Sequence, residues 1–273
     1  MRGYMILAAL GLALASGRAE AAAPPRRIVS LNVCSDQLVL ALADRAQIAA
    51  LSPFAHDPAL SAAAGEARDL RALTRPAEQV LAIRPDLLIG RADGAGGVAG
   101  TPQGMRIAGI GLDDSASYAD VVAQIRRVAR AVGHAGRGEA LVRRMDRDLA
   151  ALPQLSGGKV AAYYQRRGFM TGTGTLVDDL MRRAGLINLA ARLGKPGLAQ
   201  VGLEQMIAAR PDFIIIERET MRVRDQGTEM LHHPILRAIP RLTLPQAWTV
   251  CGGPAYVEAA RSLVAQASVR KRR

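Results

Sequence analysis

The sequence predicts an α/β fold of two Rossmann-like lobes, each built on a mostly parallel sheet, joined by a single backbone helix with a ligand cleft between them. Three observations carry this prediction. The segment Glu78-Gln79-Val80-Leu81-Ala82-Ile83-Arg84-Pro85-Asp86-Leu87-Leu88-Ile89 recurs 126 residues later as Glu204-Gln205-Met206-Ile207-Ala208-Ala209-Arg210-Pro211-Asp212-Phe213-Ile214-Ile215, with seven of twelve positions identical. Each copy reads as a short helix, a proline that stops it and a continuous apolar run of strand length, the helix-to-strand step of a doubly wound lobe. A long amphipathic stretch joins the two halves.

The remaining elements follow in chain order. Residues 1–23 read as a secretory signal: Arg2 supplies the positive start, an apolar stretch runs from Met5 to Ala15, and small residues follow. The stretch is too short for a permanent anchor, cleavage is expected near 21–23, and no cysteine there could take a lipid. The first lobe, 24–133, has strands at 27–31, 47–51, 87–89 and 107–112 and a helix at 36–43. Residues 121–132 are periodic, and 133–138, rich in glycine, interrupt the period. Leu141, Met145, Leu149 and Leu152 then form one stripe, so 134–153 is the expected linker helix. The second lobe, 154–267, has strands at 159–164, 213–215 and 242–244, with helices at 176–184 and 255–266. Residues 268–273 are expected to be a solvated basic tail.

Composition narrows the function. Nine aromatic residues in 273 leave little for a base-stacking surface. The net charge of +12 comes from 33 Arg and three Lys scattered along the chain, and scatter plus export argue against nucleic acid as a partner. The four histidines form no metal-ligand pattern, so no metal site is expected and any iron should arrive already chelated. No P-loop, His-Glu-x-x-His or Gly-x-Ser-x-Gly occurs. The alternative to a binding protein is an exported α/β enzyme with a nucleotide-type cofactor in the same cleft. Its support is the loose glycine fingerprint of 94–99 with Asp113, but Gly100 to Gly104 forbid the helix it requires. No resident cofactor and no enzymatic activity are expected. Cys34 and Cys251 would be allowed to pair in an oxidising compartment, but their separation favours two independent, partly buried thiols.

Residues just after strand ends should line the cleft: Asn32, Cys34, Ser35, Phe54, Arg91, Tyr164, Arg166, Arg167 and Trp248. The arginines offer planar forks for carboxylate, catecholate or hydroxamate oxygens. The loop 168–174 leads into a helix capped by Thr175, with Asp178 three residues on. Its amides could receive an anionic group, although a plain turn explains its glycines equally well.

The opening Arg27-Ile28-Val29-Ser30-Leu31-Asn32, the two Glu-containing repeats, Gly185 with Asn188, His233-Pro234, and Trp248 followed by Cys251-Gly252-Gly253-Pro254 together resemble a known family over about 26–266. It is that of the periplasmic substrate-binding proteins of bacterial ABC importers for cobalamin, haem and ferric siderophores. The resemblance implies a monomer in the periplasm that hands a small-molecule metal chelate to an inner-membrane ABC permease dimer. It implies docking on that permease through Glu78 and Glu204, one per lobe, and aromatic ligand contacts at Phe54 and Trp248. Two departures bear on the ligand. Ala72 and Leu198 stand where cobalamin binders of the family often carry Trp, and 90–104 holds six glycines where the family has a regular helix.

Overall fold

The computed structural model describes residues 23–93, 97–102, 104, 107–155 and 157–270. The export segment, apart from Ala23, and the last three residues lie outside that set. The strands are β1 (Ile28–Ser30), β2 (Ile48–Ala50), β3 (Leu87–Arg91), β4 (Ala108–Leu112), β5 (Val160–Tyr163), β6 (Phe169–Thr171), β7 (Ile187–Asn188), β8 (Leu198–Gln200), β9 (Phe213–Glu217) and β10 (Arg241–Leu244). The helices are α1 (Val33–Leu42), α2 (Ala64–Ala67), α3 (Pro76–Ile83), α4 (Tyr118–Ala131), α5 (Ala135–Ala150), α6 (Leu176–Arg183), α7 (Leu189–Arg192), α8 (Leu203–Ala209), α9 (Gln226–Glu229) and α10 (Ala255–Arg270).

Two four-stranded sheets result, in the orders β2-β1-β3-β4 and β10-β9-β5-β7. Every pairing within them is parallel. Counted within each lobe, the order is the same: second, first, third, fourth strand. Parallel strands covered by helices on both faces must be apolar throughout, and all five residues of β9 are buried. The second lobe adds a short antiparallel pair, β6 with β8.

The duplicated segments occupy equivalent places, α3 leading to β3 and α8 leading to β9. Both helices end on an arginine in the left-handed region, Arg84 at φ 49° and Arg210 at φ 45°, because the proline that follows disfavours the right-handed helical region for the residue before it. Both then use the aspartate after the proline to hold the start of the neighbouring first strand. Asp86 accepts from the amides of Arg26 and Arg27, each at 2.8 Å. Asp212 accepts from the Val160 amide at 2.8 Å and the Lys159 ammonium at 2.7 Å.

The chain crosses once between lobes by peptide, through α4 and α5. The expected interruption at 133–138 is narrower than its glycines imply. Gly133, at φ +85°, takes the whole turn, while Gly136 and Gly138 lie inside α5. Gly138 is small because α5 passes tightly over α4: a Cβ there would overlap Ala129. α5 is held at both ends. Near its start Arg137 donates to the Leu42 carbonyl and to Asp44, both at 2.7 Å; near its end Asp148 faces Arg261 of α10 at 3.7 Å. At the other end of the fold α10 runs on through Arg270, so the expected basic tail is helical over 268–270.

A knot of polar and aromatic groups ties α4 to the second lobe. The Tyr118 amide donates to Asp179 at 3.1 Å, the Tyr118 hydroxyl to Asp146 of α5 at 2.7 Å and the Tyr256 hydroxyl to Asp179 at 2.6 Å. The Arg183 guanidinium lies 4.8 Å over the Tyr118 ring. Beneath it one apolar cluster runs without a break from Ile28 and Leu38 of the first lobe through Leu141 and Met145 of α5 to Tyr163, Leu242 and Leu263 of the second.

The aspartate pins yield a prediction. Asp212→Ala leaves the buried Val160 amide at a strand start without its acceptor and is expected to cost about 1–2 kcal/mol. Urea unfolding should show a lower midpoint for Asp212→Ala and a smaller drop for Asp86→Ala, whose carboxylate is more exposed. Unchanged midpoints in both would show that the pins carry no stability.

Candidate ligand-binding site

The carboxyl ends of β1, β3 and β4 and the loop after β10 enclose a cavity of about 320 Å³. Asn32, the residue after β1 and Leu31, caps α1: its Oδ1 accepts from the amides of Cys34 and Ser35 at 3.0 and 2.9 Å. Arg91 ends β3 and stands exposed at the cavity wall, 3.6 Å from Asp114. Asp113, Ser115, Gln124 and Thr249 complete the polar lining, and the buried Ser115 hydroxyl has no hydrogen-bond partner among the described residues. None of these last residues was picked out as a ligand contact in the sequence. The signal for 113–115 is their place just beyond the strand at 107–112, the same rule that picked out Arg91.

The floor of this cavity corrects the reading of the cysteines. Cys34 and Cys251 form a disulfide across 217 residues, with Cα atoms 5.1 Å apart. The start of α1 in the first lobe is thereby bonded to the loop between β10 and α10 in the second. Sequence distance argued against the pair because it says nothing of tertiary proximity: both residues fall at carboxyl ends of strands, and the fold brings those ends together.

On the second lobe a chain of side chains runs along the edge of the sheet. The Thr171 hydroxyl donates to Gln165 Oε1 at 3.0 Å, Gln165 Nε2 to Glu217 Oε1 at 3.0 Å, and the Tyr163 hydroxyl lies 3.4 Å from Glu217 and 2.9 Å from Thr249. Glu217 is buried, and burial pushes its carboxyl above the usual range, against the two donors that favour the charged form. In the first lobe, burial likewise raises Asp36, whose acceptors are filled by the amide and hydroxyl of Ser52.

Of the expected site residues, Asn32, Cys34 and Arg91 line the cavity. Ser35 is fully buried, 2.7 Å from Ser30 Oγ, and serves the cap of α1. Phe54 is exposed beyond β2. Arg166 is exposed and paired with Asp225 at 2.6 Å, and Arg167, at φ 56°, is exposed beside it. The remaining two also lie outside the cavity. Tyr164 is fully buried in the core of the second lobe, its hydroxyl donating to the Val201 carbonyl at 2.7 Å, because alternate residues of a strand face opposite sides and Tyr163 has the side that reaches Thr249. Trp248 does not line this cavity; it packs half-buried against the main core and faces a different one.

Residues 168–174 are not a single loop: 169–171 form β6, and only 172–174 turn into α6. The Gly172 amide donates to Gly197 and that of Gly174 to Asp178, and Gly172 is required because the Pro196 carbonyl occupies the space of a Cβ. Thr175 caps α6 as expected. Residues 97–102 form a turn after a bridge between Ala92 and Val98, with no helix at that end of the glycine fingerprint. Gly94 to Gly96 lie outside the described residues.

Glu78 and Glu204 fall in the first turns of the equivalent helices α3 and α8, both exposed. Glu78 pairs with Arg75 at 3.0 Å, a surface contact that carries little stability.

A family described as "Periplasmic binding protein" matches residues 28–241. The chain belongs to this family. Solved structures agree in fold. The periplasmic heme-binding protein RhuT from Roseiflexus sp. RS-1, in apo form, is 25% identical, with a TM-score of 0.66 over 89% of this chain and 99% of that one. The periplasmic heme-binding protein HutB of Vibrio cholerae is 18% identical, with a TM-score of 0.70 over 88% and 97%. The periplasmic vitamin B12 binding protein BtuF of Vibrio cholerae is 15% identical, with a TM-score of 0.63 over 92% and 99%. No curated protein sequence matches the chain. The family is one of periplasmic binding proteins, so the chain is a binding protein and not an enzyme, and membership implies the periplasm.

Two predictions follow from the site. Replacing both Cys34 and Cys251 by Ser is expected to lower stability by about 2–4 kcal/mol, read by urea unfolding; equal stability of oxidised wild type and variant would contradict it. Because Glu217 binds a proton more tightly folded than unfolded, its ionisation opposes folding as pH rises from about 4.5 through its raised folded value. Glu217→Gln should therefore flatten the fall of the thermal midpoint over that window. Asp36 contributes a slope of the same sign, so the slope shrinks but does not vanish, and an unaltered slope would remove Glu217 from the account.

Proposed function

We propose that this periplasmic binding protein is the capture component of an ABC importer, taking a small-molecule metal chelate between its lobes and passing it to an inner-membrane permease dimer. The chelate is a ferric siderophore, a haem or a corrinoid. The observation that carries the reading is the pair of sheets of identical strand order, with a cavity at the carboxyl ends of β1, β3 and β4 that the loop after β10 closes from the second lobe, the place where open α/β sheets hold ligands. The names of RhuT, HutB and BtuF support the ligand class.

The lining meets such a ligand with both signs of charge, Arg91 against Asp113 and Asp114. Arg91 offers a guanidinium fork at the end of β3, and Asn32, Ser115 and Thr249 offer smaller polar contacts. A corrinoid is the least supported member of the class: Ala72 is tied into a bridge with Leu51, and Leu198 stands exposed on β8, where a large aromatic ring would be wanted. Closure is modest, because the apolar core, α5 and the disulfide all span the lobes. The protein works as a monomer, exported by a signal cleaved near 21–23.

Docking falls to Glu78 and Glu204, whose carboxylates stand exposed in the first turns of α3 and α8. Glu78→Ala with Glu204→Ala should leave ligand affinity intact and lower uptake in cells; unchanged uptake would remove the docking role. The ligand is identified by absorbance and mass spectrometry of protein purified from its native periplasm. A porphyrin, corrin or ferric chelate chromophore at one per chain supports the proposal, and a colourless metabolite at that stoichiometry overturns it.

A further inference from the structure

The loop pinned by the disulfide has two sides. Its middle, Thr249 to Gly252, lines the ligand cavity, whereas its ends, Trp248 and Pro254, line a separate cavity of about 410 Å³ that shares no residue with the first. α1 divides in the same way: Cys34 faces the ligand cavity, and Gln37 and Leu40 face the second.

Gln37 is the informative residue there. It is 4% exposed, and its Nε2 has no hydrogen-bond partner among the described residues. A buried donor without an acceptor is costly, and an apolar residue of the same size at this place on α1 would avoid the cost. The rest of the wall says what acceptor would suit it. Leu40, Met145 and Trp248 give an apolar face, Arg144 supplies a second donor, and Glu66 a carboxylate. Neither Arg144 nor Glu66 has an ion-pair partner among the described residues, whereas the other carboxylates of the wall, Asp148 and Glu258, share Arg261.

We infer that this cavity is a second small-molecule site, separate from the transport cleft, for a zwitterion with an apolar body, of the size and kind of an aromatic amino acid. Its carboxylate accepts from Gln37 Nε2 and the Arg144 guanidinium, its ammonium faces Glu66, and its side chain lies on Leu40, Met145 and Trp248. No bond is made or broken.

Trp248 is the sole tryptophan, so its fluorescence reads this cavity. The purified protein is titrated with L-phenylalanine, with 2-phenylethylamine, which lacks the carboxylate, and with 3-phenylpropionate, which lacks the ammonium. The expected result is a saturable change with L-phenylalanine and at least about tenfold weaker binding of either fragment. Gln37→Leu and Arg144→Gln, each with an unaltered thermal midpoint, should weaken L-phenylalanine binding about tenfold, while Arg91→Ala in the transport cleft leaves it unchanged. No saturable response at millimolar amino acid, equal binding of all three compounds, or loss on Arg91→Ala would each overturn the proposal. Because chelate capture is read separately by absorbance, failure here leaves the transport reading standing.

Discussion

The molecule depends on one apolar mass that belongs to neither lobe alone. Ile28, Leu38 and Leu42 of the first lobe, Leu141 and Met145 of the connecting helix, and Tyr163, Leu242 and Leu263 of the second touch in an unbroken cluster. Wide separation of the sheets would expose part of it, and apolar surface costs about 25 cal/mol per Å² when opened to water. The spacing of the two sheets is therefore set by burial before any ligand contributes. The knot around Tyr118, Asp179, Arg183 and Tyr256 closes the same seam from outside.

Against that fixed frame the cavity mixes apolar and polar groups, and its lining sets Arg91 against Asp113 and Asp114. The chain is strongly basic, yet Arg91 faces Asp114 and Arg166 is held by Asp225.

The fold was legible because its signals are local and occur twice. The proline after Arg84 and Arg210, the aspartate that follows and the apolar runs fix helix end, strand start and neighbour by short-range rules, and the second copy tests the first. The site was legible in part. Position just beyond a strand end picked out Asn32 and Arg91, but it does not say which way a side chain faces. Tyr164 went to the core for that reason while Tyr163 reached Thr249. Trp248 and the cysteine pair depend on how the two lobes meet, which no window of sequence holds. The same limit hid Gln37, whose meaning rests on the buried donor and not on its residue type.

The cross-link between Cys34 and Cys251 also bears on how the protein is made. Because the chain has only two cysteines, a single molecule has one possible pairing and cannot be trapped with scrambled bonds. Oxidation needs an electron acceptor but no shuffling of partners. The one wrong outcome is a bond to another thiol-bearing molecule, and the early thiol near the front of the exported chain runs that risk until the last segment has arrived.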